Sequence, residues 1–178
     1  MPGRSPAGKV GLAVSDKRTA RRADTPDVDG VGNGLLDLIA EVACTMFQAH
    51  AASVMLHDAP TSELVVTAAA GQAGTGLVGM RVPVGVGIAG RVFADGEPVA
   101  VDDVAHDERF ARQIAEATGY VPTGLMAAPL THAGRAIGVL EVLDRPQFSR
   151  FSLAELDLLT LYARVSATAI ALASGSDK

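Results

Sequence analysis

A glycine pattern in residues 81–93 constrains the fold more than any other feature of the sequence. Gly85 and Gly87 lie between a short apolar strand and a short helix that begins near Ile88, and Gly90 lies in the first turn of that helix. Glycine lets a backbone approach a ligand closely, and the unpaired N–H groups of a helix N-terminus attract an anion. The segment therefore predicts a loop that holds a nucleotide or another small ligand, or else a tight turn.

The order of the elements around the glycines argues against a dinucleotide-binding fold. That fold places the pattern in a parallel strand–helix–strand unit, with a long helix after the glycines. Here two strands precede the pattern, and the helix after it lasts about two turns before Gly96. The predicted strands are residues 52–56, 64–69, 80–84, 99–101, 124–130 and 136–143. Turn residues join them in hairpin-like pairs, which indicates an antiparallel sheet.

Two amphipathic helices are predicted at the ends of the ordered chain, at residues 34–49 and 152–173. The second begins with a capping box, Ser152 to Glu155, flanked by the hydrophobic staple pair Phe151 and Leu156. Each helix carries two apolar stripes: Leu35, Ile39, Val42 and Met46 with Leu36, Ala43 and Phe47 in the first, and Leu156, Leu159, Ala163 and Ile170 with Leu158, Tyr162, Val165, Ala169 and Leu172 in the second. Because one sheet hides one stripe, the pattern predicts a homodimer through these two helices.

A third, shorter helix is predicted between the two long ones, with Asp107 as its N-cap. It runs to about Thr118, and Gly119 closes it in the left-handed conformation.

Composition narrows the class of protein. Hydrophobic residues make up 48% of the 178, enough for a core, and no uninterrupted apolar run reaches the ~18 residues of a membrane span. Cys44 is the only cysteine, which excludes an intramolecular disulfide and a cysteine-based zinc site. The sequence predicts a cytoplasmic protein with no membrane partner.

The charge is unevenly distributed along the chain. Residues 1–32 have six basic and four acidic residues and no hydrophobic periodicity, which predicts a disordered tail with a basic cluster at residues 17–22. Residues 33–178 have nine basic and sixteen acidic residues, a net charge of −7 that disfavours nucleic-acid binding. We expect one domain at residues 33–173 and a disordered end at residues 174–178.

Several motifs together resemble the GAF domain, a sensory and regulatory family of small-molecule-binding domains. The matching residues are Gly87-Ile88-Ala89-Gly90, Gly96-Glu97-Pro98, Asp102-Asp103-Val104, Asp107-Glu108-Arg109-Phe110, Thr118-Gly119-Tyr120 and residues 137–143. The resemblance implies an α+β, PAS-like fold with about six antiparallel strands. The first and last helices would cover one face of the sheet, and short helices and loops would enclose a pocket on the other.

The pocket motifs are most similar to those of the cyclic-nucleotide-binding branch of this family. The resemblance assigns ligand contacts to Ser53, Ile88, Ala89, Phe110, Thr118 and Glu141, and makes a cyclic nucleotide one candidate ligand. The branch's N-K-x-F-D-E signature is degenerate, because Asp144, Arg145, Phe151, Glu155 and Leu156 stand at its positions. The identity of the ligand therefore stays open.

Other members of the family carry cofactors or catalytic residues. A bilin needs a pocket cysteine and the free-methionine-sulfoxide reductases need several, whereas this chain has only Cys44 in the first helix. A haem needs an axial histidine, for which His106 is the one candidate near the pocket. Adjacent Asp102 and Asp103 point to opposite faces of an extended segment, so we expect no catalytic dyad, no metal site and no enzyme.

The sequence thus predicts a stand-alone sensory or regulatory domain. It would bind a small molecule and signal through its dimer helices to a partner protein. The alternative is a ligand-free scaffold, because the predicted pocket loops carry Val84, Val86, Ile88, Val121 and Met126 and have few polar groups. A haem-binding sensor is the third hypothesis.

Overall fold

One antiparallel sheet with helices on both faces forms the core of the protein. The computed structural model describes residues 32–72, 75–145 and 151–175. The helices are α1 (Asn33–Met46), α2 (Gly87–Asp95), α3 (Arg112–Thr118) and α4 (Leu153–Ala173). The strands are β1 (Ala51–Asp58), β2 (Glu63–Gly71), β3 (Arg81–Pro83), β4 (Val99–Val101), β5 (Leu125–His132) and β6 (Arg135–Leu143). Short 3-10 turns lie at Thr75–Leu77 and Val104–His106.

The strand order is β3-β2-β1-β6-β5-β4, and every neighbouring pair is antiparallel. The predicted hairpins β1–β2 and β5–β6 are adjacent along the chain and in space. Strands β1 and β6, one from each hairpin, pair at the centre of the sheet, where Ser53 lies opposite Glu141. The α+β fold class and the six-stranded antiparallel sheet expected from the sequence are confirmed.

Alternate side chains of the central strands fill two separate cores. On one face, α1 and α4 pack over a helix-side core that includes Phe47, Val54, Leu140 and Leu159. On the other face, α2 and the neighbouring loops cover a second core that includes Val139 and Leu143. Burial of each large aliphatic side chain contributes about 1.5–3 kcal/mol, so both faces stabilise the sheet.

A β-bulge at Thr67 exchanges the two faces of β2. The register of β1 and β2 pairs Val54 with Ala68 and Met55 with Val66, which leaves Thr67 as the extra residue. Its buried hydroxyl donates to the carbonyl of Val54 at 3.1 Å and so satisfies a group that the bulge displaces. Val66 therefore faces the second core while Ala68 faces the helix-side core.

The predicted apolar stripes are only partly buried: in α1, Ile39 is buried whereas Val42 and Met46 of the same stripe are exposed. We define the outer helix face by its exposed apolar side chains, Leu38, Val42 and Met46 of α1 and Leu158, Leu161, Val165 and Leu172 of α4. By length and composition alone α4 could cross a membrane, a property that core helices of soluble proteins share, and 33% of its most apolar 18-residue window is buried.

The helix boundaries show where local signals suffice. The capping box of Ser152 and Glu155 is present at α4, and Gly119 closes α3 with φ +76°. The predicted first helix is too long by three residues, because the chain turns after Met46 and Gln48 adopts φ +50°. The predicted tails, residues 1–32 and 174–178, lie outside the described residues except for residues 32, 174 and 175, and so does the basic cluster at 17–22.

Asp107 is not the N-cap of α3, contrary to the prediction. Its carboxylate accepts from the backbone N–H of Arg109 at 2.9 Å and from the guanidinium of the same residue at 2.6 and 2.9 Å. The guanidinium holds the pKa of this carboxyl below its usual range. These bonds close a local turn at Asp107. The helix therefore begins at Arg112, and Ala111 is at its N-cap position.

Candidate functional site

A cavity of about 100 Å³ lies between the sheet and the segments that cover its second face. All six predicted site residues line it: Ser53 of β1, Ile88 and Ala89 of α2, Phe110, Thr118 of α3 and Glu141 of β6. The walls between them are apolar, with Met55, Val66 and Leu125 from the strands and Ile114 from α3. The structure therefore brings together residues that lie up to 88 positions apart in the sequence.

Glu141 places a carboxyl group on the floor of this cavity. Its side chain is 7% exposed, and among the described residues its hydrogen-bond partner is the Ser53 hydroxyl, at 3.5 Å. Removal from water raises the pKa of Glu141 to about 7, and the hydrogen bond from Ser53 opposes this only in part. The carboxyl group thus changes its charge near neutral pH.

The three glycines of the sequence pattern form the start of α2 in two different ways. Gly85 and Gly87 adopt φ +81° and +69°, which disfavours residues with a side chain. Gly90 is needed for close packing, since a Cβ atom there would lie 2.7 Å from the Pro83 carbonyl oxygen. No side chain caps the helix, so its N-terminus retains a partial positive charge, and Gly87, Ile88 and Ala89 of its first turn line the cavity.

The segment that follows α3 closes one side of the cavity, and Asp144 holds it in place. The Asp144 carboxylate accepts from the Tyr120 hydroxyl at 2.7 Å and from the backbone N–H groups of Thr123 at 2.7 Å and Gly124 at 3.0 Å. Burial and the neighbouring carboxylate both raise the pKa of Tyr120, so its hydroxyl stays a donor. Asp144 itself adopts φ +51° to reach these groups.

Not every predicted pocket feature reaches the cavity. His106 is exposed over 85% of its side chain and bonds to Asp103 at 2.8 Å, so it does not fit the axial ligand of a haem. Val86 and Val121 are exposed, and Met126 is buried in the helix-side core, so the expectation that they line the pocket is wrong. Of the five apolar residues behind the scaffold hypothesis, only Ile88 lines the cavity.

Cys44 lies away from the cavity, on the helix side of the sheet. Its thiol donates to the Ala49 carbonyl at 3.1 Å, and burial raises its pKa, which disfavours the nucleophilic thiolate. No group of three or more metal-ligating side chains occurs in the described ranges.

The profile of the GAF domain family matches residues 33–170. The chain belongs to the GAF domain family. GAF domains are sensory and regulatory domains, and the fold, the face occupied by the cavity and the arrangement of the terminal helices all agree with this membership.

Relatives and solved structures place this GAF domain among diverse proteins. A segment of 74 residues, 41% of the chain, is 40% identical to a dual 3',5'-cyclic-AMP and -GMP phosphodiesterase 11 of Drosophila melanogaster, of which it covers 5%. The GAF domain of a phosphoenolpyruvate-protein phosphotransferase from Coxiella burnetii is 23% identical with a TM-score of 0.71, over 86% of this chain and 89% of that one. The chain spans less than a tenth of the length of the curated phosphodiesterases that it matches.

A free methionine-R-sulfoxide reductase from Neisseria meningitidis, solved with its substrate, also shares the fold. It is 25% identical with a TM-score of 0.61, over 86% of this chain and 81% of that one. GAF domains therefore include an enzyme as well as regulatory modules. In this GAF domain, Cys44 lies on the opposite face of the sheet from the cavity.

The degenerate signature connects the cavity side of this GAF domain to its helix layer. Arg145 donates to the Phe47 carbonyl at 3.1 Å, pairs with Glu155 at the start of α4 and lies 5.1 Å from the centre of the Phe151 ring. Asp144, its neighbour, holds the cavity wall. Two consecutive residues thus bond to elements on opposite faces of the sheet.

Sequence reasoning missed several residues that line the cavity. Tyr120 appeared only as part of a family motif, and Leu77, Met80 and Ile114 were not singled out. Leu77 lies in the glycine-rich loop that precedes Met80, and Met80 begins the strand predicted at residues 80–84. The apolar character of Leu77 was the signal that could have revealed it, because large apolar side chains are uncommon in exposed loops.

Proposed function

We propose that this GAF domain, residues 33–173, is a regulatory module that takes a small molecule into the cavity. The observation that supports this most is Glu141, a carboxyl group that is 93% buried and borders the cavity. Burial of an ionisable group costs several kcal/mol, and an apolar residue at this position would stabilise the sheet better. A ligand that bonds to the carboxyl group offsets that cost.

A cyclic nucleotide is the candidate ligand that the relatives suggest. The segment shared with the Drosophila phosphodiesterase and the uncapped N-terminus of α2 favour it. The cavity opposes it in two respects. Its volume of about 100 Å³ is below the ~300 Å³ of typical ligand pockets, and no lysine, arginine or histidine among the described residues lines it to balance a phosphate.

The terminal helices are the proposed output of the domain. The outer helix face exposes seven large apolar side chains in the single chain, which a second copy of the chain would cover. Arg145 joins the end of α1 to the start of α4, so movement of the cavity wall at Asp144 would reach both helices. A partner protein in the cytoplasm would then receive the signal.

A ligand-free interaction scaffold is the second candidate, and the small size of the cavity favours it. In both cases we propose no enzymatic activity. Cys44 lies on the opposite face of the sheet from the cavity, and Asp103, which is bonded to His106 and to the backbone N–H of Ala105, is not among the described residues that line it.

Native mass spectrometry of the purified protein tests ligand binding. A retained small-molecule mass, or a rise of several degrees in the melting temperature with 3',5'-cyclic AMP or cyclic GMP, supports the regulatory module. An empty protein whose melting temperature none of the ligands raises supports the scaffold.

Sedimentation velocity tests the output surface independently. Leu161→Glu places a charge on the outer helix face and should convert a dimer to a monomer. Gln113→Glu adds the same charge to an exposed position of α3 and should leave the dimer intact. A wild-type protein that is monomeric at micromolar concentration would refute the dimer.

A further inference from the structure

The cavity contains few groups with which a ligand can form hydrogen bonds. Among the described residues, the polar side chains that line it are Ser53, Thr118, Tyr120 and Glu141. The other lining residues within the described ranges are apolar, and none of them carries a positive charge. The chemistry of recognition therefore depends on what these four side chains already bind.

Two of the four polar side chains are already engaged within the protein. The Thr118 hydroxyl donates to the Ala115 carbonyl at 2.6 Å and accepts from the backbone N–H of Tyr120 at 3.0 Å. The Tyr120 hydroxyl donates to Asp144 at 2.7 Å. The Ser53–Glu141 pair, whose bond is long at 3.5 Å, is left to bind a ligand.

The charge of this pair selects the ligand. An ionised Glu141 has no cationic side chain beside it in the part of the lining that the structure describes, so within that part its charge is uncompensated unless a ligand supplies the opposite one. The first turn of α2 offers at most about half a positive charge. A full positive charge on the ligand balances the carboxylate better than this partial charge balances a phosphate.

The size of the cavity limits the ligand to about one ring. An engineered cavity of about 150 Å³ in another protein stays dry and binds benzene. The cavity here, at about 100 Å³, is of that order and similarly apolar.

From this geometry we infer that the ligand is a small, mainly apolar molecule with one protonated nitrogen that donates a hydrogen bond to Glu141. The inference rests on the proposed function and names its ligand class. It distinguishes this GAF domain from one that binds a nucleotide, because phosphate recognition would need cationic side chains, and residues 32–72, 75–145 and 151–175 contribute none to the cavity lining.

Such binding is linked to pH. The pKa of Glu141 is about 7 in the unliganded protein, and Tyr120 is the only other titratable side chain among the lining residues that the structure describes. A cation binds the ionised form, so at pH 6 binding must first remove a proton from the carboxyl group. Between pH 6 and pH 8 the ionised fraction rises about tenfold, and the affinity for a permanently protonated amine should rise by the same factor.

Four probes separate the possible ligand classes: benzylamine, its neutral isostere benzyl alcohol, benzoate and 3',5'-cyclic GMP. The alkylammonium group of benzylamine stays protonated between pH 6 and 8, as that of lysine does. Titrations followed by the methyl NMR signals of Val66, Leu125 and Leu143, which line the cavity, report binding directly.

At pH 8 we expect benzylamine to bind at least tenfold more tightly than benzyl alcohol. Glu141→Gln should remove at least a factor of ten from the benzylamine affinity and change that for benzyl alcohol less than twofold. The matched control Glu97→Gln removes an exposed carboxyl group that does not line the cavity and should change neither affinity. The pH profile of the wild-type protein gives the same answer without any variant.

Three outcomes would overturn the inference. If benzylamine and benzyl alcohol bind alike and without pH dependence, the charge has no role, although the cavity remains a small-molecule site. If benzoate or cyclic GMP binds and benzylamine does not, the ligand class is anionic and the proposed function stands. If no probe shifts the cavity methyl signals, the inference and the small-molecule function both fail.

Discussion

Replacement of Glu141 by glutamine should change the pH dependence of stability in a way that few single substitutions do. The side chain is buried in the folded protein, where its pKa is about 7, whereas the ordinary value of 4.5 applies to the unfolded chain. Between these two values the unfolded chain has lost a proton that the folded protein still holds. Stability contributed by this group is therefore fully present below pH 4.5 and is lost as pH rises to 7.

The magnitude follows from the difference between the two pKa values. Each unit corresponds to about 1.4 kcal/mol, so a difference of about 2.5 amounts to about 3 kcal/mol in the free energy of unfolding. Glutamine has nearly the same shape and does not titrate. The variant should match the wild-type protein to within about 1 kcal/mol at pH 4.5, and it should be more stable by about 3 kcal/mol at pH 8.

Urea denaturation followed by circular dichroism measures this difference at five pH values between 4.5 and 8.5. Protein concentration must be held fixed, because association shifts apparent stability. Glu97→Gln, at an exposed position, reports the effect of removing a carboxyl group from the surface. A difference between wild type and Glu141→Gln that stays constant across the range would show that Glu141 does not titrate in the cavity as the structure indicates.

Three further predictions concern the stability of the fold. Leu159 is fully buried, so Leu159→Ala should lower the free energy of unfolding by about 2–5 kcal/mol in urea titrations. Leu161 is 57% exposed, so Leu161→Ala should lower the free energy of unfolding of the monomer by less than 1 kcal/mol in the same titrations. Gly138→Ala places a Cβ atom 2.0 Å from the Met55 carbonyl oxygen, so the central strands must separate; we expect a loss of about 3 kcal/mol or more, and a melting temperature equal to that of wild type would contradict the packing. Ser152→Ala removes the α4 cap and should cost about 1 kcal/mol, recovered in large part by Ser152→Asp in the same thermal melts.

Local signals in the sequence predicted the elements whose cause is local. The capping box of α4 requires only the four residues from Ser152 to Glu155. The end of α3 requires only one residue, Gly119, in the left-handed conformation. Asp107 shows the limit of this reasoning. Its carboxylate met an arginine two residues away, and that contact competed successfully with helix capping. A sequence pattern cannot rank two local partners that are both within reach.

The candidate site was predicted in part because the family resemblance supplied what local patterns could not. The motifs placed Ser53 and Glu141 near one pocket, and the register of β1 and β6 sets them directly opposite each other. The role of Asp144 was not predictable in this way. Its bonds to Tyr120 and Gly124 span 24 and 20 residues, and Asp144 adopts φ +51° to form them. No local pattern in the sequence predicts either these bonds or this backbone conformation.

The division of the central strands between two cores affects how such a domain changes over evolutionary time. Val139 and Leu143 contribute to one core and Leu140 and Val142 to the other, although all four lie within a stretch of five residues of β6. Substitutions on opposite sides of the sheet share few neighbours, so their effects on stability add. Point substitutions can therefore alter the residues that line the cavity while the helix-side core and the outer helix face stay unchanged. An insertion of one residue in the same strand would exchange the two faces and lose both.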